Sequence, residues 1–342
     1  MTTTLALVES PAQLLNVAEW AHACHQGEGP ALRVAVLLPT DAWSRVQLAR
    51  VGELAAAGGL EITRFEVRSG TMSRMRQIAA VRKLVAAAGR LVVGDLFSGM
   101  VQMLLPSATA RELVIVDDGT ATTEFVRIVT EGRGLTRWHQ QAGGTGRGGR
   151  AMTWLTEPEL ERTLFTCMEV APPPGIRIAS NEYAWTRSRF PRPTVRGGAD
   201  LLGTSLVETG IVGEEHYLRA VSSIVRARGV DRYLAHRRES RDKLRRIADA
   251  TGVRVLRPDL PLELLAAQGP VGHTVLTFPS TVAHTLPIVL RGRGVRVELC
   301  EVAEAWFTPD TTSHAVGFLR GMAESAQRRH GLPSMRPSPV GR

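Results

Sequence analysis

Short apolar runs alternate with stretches of helical period along most of the chain. Residues 5–8, 34–38 and 60–67 read as strands. Between them lie helix patterns over residues 11–23 and from Asp41 to Leu54. Ser10 stands where an N-cap belongs, with Pro11 in the first helical position. A helix over residues 75–88 follows, then strands at 91–94 and 113–116. These last two are apolar throughout, as expected of strands covered on both faces. Such a succession predicts a parallel sheet with helices on both sides.

The rhythm breaks between residues 132 and 198. That stretch holds the glycine-rich segment 143–149, the triplet Pro172-Pro173-Pro174, and Pro191 and Pro193, with residues 157–165 reading as a helix inside it. It reads as a mobile loop followed by a connection. A second alternation then begins at Leu201-Leu202, with further strands at 232–234, 253–256, 275–278 and 295–299. Helix patterns cover residues 214–226, 240–251, 281–290 and 311–329. The tail beyond Leu332 carries three prolines and reads as disordered. The expected organisation is a first domain over 1–170, a connection over 171–198, a second domain over 199–310, a terminal helix over 311–330 and a tail over 331–342. Both domains read as α/β, Rossmann-like and doubly wound, which places ligands at the carboxyl ends of the strands. In such a pair those ends are expected to face a central cleft.

Composition narrows the class. The chain has 342 residues, 44% of them hydrophobic, enough for two cores and too many for a disordered chain. No apolar run approaches the roughly 20 residues that cross a bilayer. The start, MTTTLALVES, lacks the basic residues and long apolar core of a signal peptide. Cys24, Cys167 and Cys300 are few and widely spaced, which suits a reducing compartment better than a disulfide framework. A cytoplasmic protein is therefore expected. The net charge of +9 fits an anionic partner, whether a phosphate-bearing substrate, an anionic polymer or the inner membrane surface, or else reflects arginine-rich composition alone. The basic segment 226–246 interleaves only Tyr233 and carries no nucleic-acid reading motif. It reads as a solvated helix face, and no nucleic acid partner is expected.

Five segments at strand ends could carry chemistry. Val116-Asp117-Asp118-Gly119-Thr120 places two carboxylates and a turn glycine after an apolar strand. It is either a general-base site or an ordinary β-turn. His236, between a short strand and a helix opening near Glu239, is either a phosphate donor or a satisfied loop histidine. Phe278-Pro279-Ser280-Thr281 sets paired hydroxyls at a helix start, as an N-cap or as an anion site. Ser10 and Gln13 after the first strand, and Asp95 after Val93-Gly94, would line the same edge. Two segments are decoys. Gly144-Thr145-Gly146-Arg147-Gly148-Gly149 has the dinucleotide spacing, yet no apolar strand precedes it and no clear helix opens at its end. His22, Cys24 and His25 suggest a metal but lack a fourth ligand, and no metal is expected.

In order and spacing these segments resemble the bacterial sialyltransferases of GT-B fold, in particular the polysialyltransferase and lipooligosaccharide sialyltransferase group. Ser10-Pro11-Ala12-Gln13, Asp117-Asp118-Gly119, Leu202-Gly203-Thr204-Ser205-Leu206-Val207-Glu208, His236 and Ser280-Thr281 carry the resemblance, from the first strand to about residue 290. Arg237 stands where a proline often follows the histidine. The resemblance implies inverting, metal-independent transfer of sialic acid or a related nonulosonic acid from a CMP-activated donor to a glycan or glycolipid, with no cofactor. It implies Asp117 as the base, with Asp118 orienting it or taking its place. His236 would meet the leaving phosphate, and Ser280, Thr281, Gly119 and Glu239 would help bind the donor. Two other readings stay open: a GT-B enzyme using a UDP- or CDP-sugar, and a non-catalytic protein of this fold that binds anionic glycan or a membrane surface.

Overall fold

The computed structural model describes residues 3–24, 32–68, 70–135 and 146–337. The chain divides into two compact units, Met1–Trp185 and Thr186–Arg342. The first contains β1 (Thr4–Val8), α1 (Pro11–Cys24), β2 (Arg33–Leu37), α2 (Ala42–Ala56), β3 (Glu61–Phe65), α3 (Thr71–Ala87) and β4 (Arg90–Val93). It continues with α4 (Gly99–Leu104), β5 (Glu112–Val116), α5 (Thr120–Thr130), α6 (Arg147–Leu155), β6 (Glu161–Thr166) and β7 (Arg177–Ser180). α7 (Ala184–Arg189) spans the join. All seven strands lie parallel in the order β3-β2-β1-β4-β5-β6-β7.

The second unit contains β8 (Val195–Leu202), α8 (Glu214–Arg228), β9 (Val230–Leu234), α9 (Arg241–Thr251), β10 (Arg254–Leu256) and α10 (Leu262–Gln268). β11 (Val271–Thr277), α11 (Val282–Val289), β12 (Arg296–Cys300), α12 (Ser313–His330) and β13 (Ser334–Met335) complete it. Its six strands are parallel in the order β10-β9-β8-β11-β12-β13. Both units are thus doubly wound, as the alternation predicts.

Local chemistry explains the element starts. The Gln13 N–H donates to Ser10 Oγ at 3.2 Å, so Ser10 caps α1. Asp41 caps α2 through the Ser44 N–H at 2.6 Å, and Ser240 caps α9 through the Lys243 N–H at 3.1 Å. Apolar side chains of strands and helices pack together in each unit. Leu7, Leu37, Leu91, Val93, Val101 and Ile115 belong to the first core, and Leu201, Val221, Ile224, Tyr233, Ile247 and Leu276 to the second.

Four expectations are corrected. Residues 157–165 do not form a helix: pairing with β5 holds Glu161–Thr166 as a strand. The expected connection contains β7, the edge strand of the first sheet, and β8 begins at Val195 rather than at Leu201. A helix, α6, does open at Arg147 beside the glycine-rich segment, of which residues 143–145 lie outside the described residues. The tail is not wholly irregular, because Ser334–Met335 pairs with β12. Among the described residues no helix is long and apolar enough to cross a membrane.

Candidate functional site

In an open parallel sheet the strand order reverses once, and the loops diverge there to leave a crevice at the carboxyl edge. In the first unit that point lies between β1 and β4, in the second between β8 and β11. Ser10 and Gln13 follow β1, Asp95 follows β4, and Asp117 and Asp118 follow β5. In the second unit Gly203 and Thr204 follow β8, Ser280 and Thr281 follow β11, and His236 follows β9 beside β8.

In the first unit the side chains of Ser10, Gln13 and Asp118 form one hydrogen-bonded group. Ser10 Oγ donates to Asp118 Oδ1 at 3.2 Å, and Gln13 Nε2 donates to Asp118 Oδ2 at 2.9 Å. Both oxygens of Asp118 are therefore engaged, one by the cap of α1 and one by its first turn. Asp117 differs. It is 5% exposed, and its Oδ2 accepts from the Cys167 N–H at 2.8 Å. Its Oδ1 is buried without a hydrogen-bond partner. Burial pushes the Asp117 carboxyl above its usual range, and the nearby Thr166 hydroxyl, Cys167 N–H and Thr122 hydroxyl pull the other way without reversing it. Gly119 follows at φ +62°, a conformation that turns the chain into α5. An elevated carboxyl with one unsatisfied oxygen at the carboxyl edge of the sheet can accept a proton from a hydroxyl brought to it.

Several supporting residues escape sequence reading. Asn16 Nδ2 donates to the Asp117 carbonyl at 2.8 Å, and Asn16 Oδ1 accepts from Asn181 Nδ2 at 2.9 Å and from the Tyr183 hydroxyl at 3.3 Å. Tyr183 holds φ +49°, outside the usual range for a bulky residue, with its N–H on Asn181 Oδ1 at 3.0 Å. The available signal is the buried polar row Gln13, Asn16 and Glu19, three residues apart on one face of α1. Asp95 is buried, and its Oδ1 accepts from the Phe97 N–H at 2.8 Å, so it shapes the loop after β4.

In the second unit the loop after β9 is held from beneath. The His236 N–H donates to Glu239 Oε2 at 2.6 Å, and the Tyr233 hydroxyl donates to Glu239 Oε1 at 2.6 Å. The Tyr217 hydroxyl lies 2.7 Å from that of Tyr233, whose proton is already committed to Glu239, so Tyr217 is the donor. Lys243 is 1% exposed, and its ammonium reaches Glu239 Oε1 at 2.8 Å, Glu208 Oε2 at 2.9 Å and the Thr204 carbonyl at 3.0 Å. Three donors meet three acceptors, with the Tyr217 ring centroid 4.7 Å away. Burial still pushes the Glu239 carboxyl up, with Lys243 opposing it. Glu239 thus lies under the His236 loop, with both oxygens engaged inside the protein.

The His236 ring is poised as a neutral donor. The Arg238 N–H donates to its Nδ1 at 3.2 Å, which places the proton of the neutral ring on Nε2. Burial, aided by Arg237, Arg238 and Lys243, lowers its pKa from 6.5 to about 4. Near neutral pH the ring offers an Nε2–H to an anion without itself carrying charge. Arg257 Nη2 braces the same loop through the Glu239 carbonyl at 2.6 Å. At the end of β11, Ser280 and Thr281 are half-buried and neither hydroxyl caps α11. Both side chains stand at the helix start without the capping bond that an N-cap role would require.

Of the metal decoy, His22 and Cys24 lie in the last turn of α1, and His25 lies outside the described residues. Among the described residues no group of three or more metal-ligating side chains converges.

Neither a protein-family model nor a curated protein matches the sequence. Solved structures do. The α/β-galactoside α-2,3-sialyltransferase of the luminous marine bacterium Photobacterium phosphoreum superposes with a TM-score of 0.50 at 11% identity, covering 98% of this chain and 99% of that one. UDP-GlcNAc 2-epimerase from Neisseria meningitidis, bound to UDP-GlcNAc, gives 0.51 at 11% identity over 99% of this chain and 96% of that one. S. aureus MnaA with UDP gives 0.52 at 11% identity over 89% and 80% of the two chains. At these identities the likeness is one of fold: the chain has two doubly wound domains of the GT-B type.

Proposed function

We propose that the protein is an inverting glycosyltransferase that moves sialic acid or a related nonulosonic acid from a CMP-activated donor to a hydroxyl of a glycan or glycolipid. The observation that carries this reading is Asp117: a buried carboxyl of elevated pKa, one oxygen unsatisfied, at the carboxyl end of β5, the strand beside β4. Asp118 is committed to Ser10 and Gln13, so the proton acceptor is Asp117 and Asp118 fixes the turn. The acceptor hydroxyl gives its proton to Asp117 as its oxygen bonds to the anomeric carbon. The bond from that carbon to the donor phosphate breaks, and its electron pair leaves with CMP. Negative charge then grows on the phosphate, where the His236 Nε2–H and the hydroxyls of Ser280 and Thr281 stabilise it. Preorganised donors of this kind are worth roughly 10²–10³ in rate each. The low pKa of His236 supports a neutral ring that donates a hydrogen bond to the phosphate over an imidazolium that transfers a proton to it.

A second reading has support in the neighbours. Two of the three structures described carry UDP or a UDP-sugar, so a UDP-linked donor fits the same fold. Calorimetry with CMP, UMP and UDP on the wild type and on His236→Ala separates the two. Selective CMP binding that weakens at least about tenfold in the variant is expected, the loss of one hydrogen bond to a charged group. Preference for a uridine nucleotide would transfer the mechanism to the second reading. CMP binding undisturbed by His236→Ala would remove that residue from the phosphate site.

A further inference from the structure

Helix α3 is covered over only part of its length. Val81 and Val85 are buried, and Ile78 and Leu84 pack on the same core. Residues 72–76, in the first turns, are all exposed. Among the described residues, Met72 at 74% and Met75 at 65% are the most exposed large apolar side chains. At a spacing of three they share a helix face. Arg74 and Arg76 lie in the same turns, and neither joins an ion pair among the described residues. Along its whole length α3 carries Arg74, Arg76, Arg82 and Lys83 and no carboxylate. Every other described helix of more than ten residues carries at least one.

Two unbranched apolar side chains among unpaired guanidinium groups fit one kind of partner better than others. A protein interface of standard size buries about 800 Å² per partner, far beyond two methionines. A nucleic acid would use the arginines and leave the methionines in water. An anionic bilayer uses both: methionine enters the boundary of the acyl chains, while arginine meets headgroup phosphate and lets its stem lie along the apolar layer. We propose that the first two turns of α3 dock the protein on a membrane surface rich in acidic lipid, through Met72, Met75, Arg74 and Arg76. The inference stands whether or not the donor reading does.

The test is co-sedimentation of the full chain with phosphatidylcholine vesicles, with and without phosphatidylglycerol. Binding is expected only when phosphatidylglycerol is present, and high salt should release it. Met72→Ser with Met75→Ser should weaken binding about tenfold, from loss of apolar insertion. Arg74→Glu with Arg76→Glu should weaken it by at least about tenfold. All four side chains are exposed, so circular dichroism and nucleotide calorimetry should remain at wild-type values in both variants. Failure of the wild type to bind phosphatidylglycerol vesicles would overturn the proposal. So would double variants that bind as the wild type does, or a solution dimer that the methionine variant dissociates.

Discussion

Asp117 illustrates how one position can trade stability for reactivity. Its carboxyl is desolvated, with one oxygen left unpaired, and it titrates above its ordinary 3.8. The folded protein therefore binds more protons than the unfolded chain between those two values, and stability falls as pH rises through that window. At neutral pH the buried charge is a burden that an amide would not impose. Asp117→Asn should lower turnover by about 10³-fold, within the span of general-base effects. It should also raise stability at pH 7 by about 1 kcal/mol. That gain should shrink at a second, lower pH, as the wild-type carboxyl takes up its proton. Turnover assays with denaturant melts at both pH values check this, and an active or destabilised Asn variant at pH 7 contradicts it.

At the scale of elements, α9 and the loop after β8 set the place of His236. Lys243 on α9 pins Glu239, and Glu239 pins the His236 backbone. This arrangement needs an open space at Gly203, where an added Cβ would lie 2.1 Å from Glu239 Oε2 and 2.6 Å from the Tyr233 hydroxyl. Gly203→Ala should therefore displace the carboxylate, cost about 1–3 kcal/mol of stability and weaken nucleotide binding. Denaturant melts and calorimetry on the folded fraction read the two effects separately. Unchanged binding with lowered stability would make the Lys243–Glu239–Tyr233 network purely architectural.

At the scale of the molecule, the proposed reaction combines a carboxylate base with uncharged phosphate donors. Charge on the leaving phosphate is met by an imidazole and by hydroxyls, so a divalent cation has no required place in it. Turnover is expected to continue in EDTA. Complete loss that returns with added Mg²⁺ or Mn²⁺ would show that a metal carries part of the charge, and the roles of His236 and Ser280 would need revision.

The sequence by itself determined the two doubly wound halves, because parallel strands covered on both faces must be apolar runs and their helices must carry a stripe. It also placed Ser10, Gln13, Asp117, Asp118, His236 and Ser280 at strand ends, since loop position follows from the alternation. Only tertiary structure decided that Glu161–Thr166 and Arg177–Ser180 complete the first sheet, because pairing with β5 and β6 overrides weak local preference. It alone revealed Asn16, Asn181 and Tyr183 behind Asp117, residues brought together from positions 165 and more apart. And it alone separated the two carboxylates. Adjacent in the chain and identical in type, Asp117 and Asp118 differ only in what surrounds them: desolvation acts on the first, while the side chains of Ser10 and Gln13 engage the second.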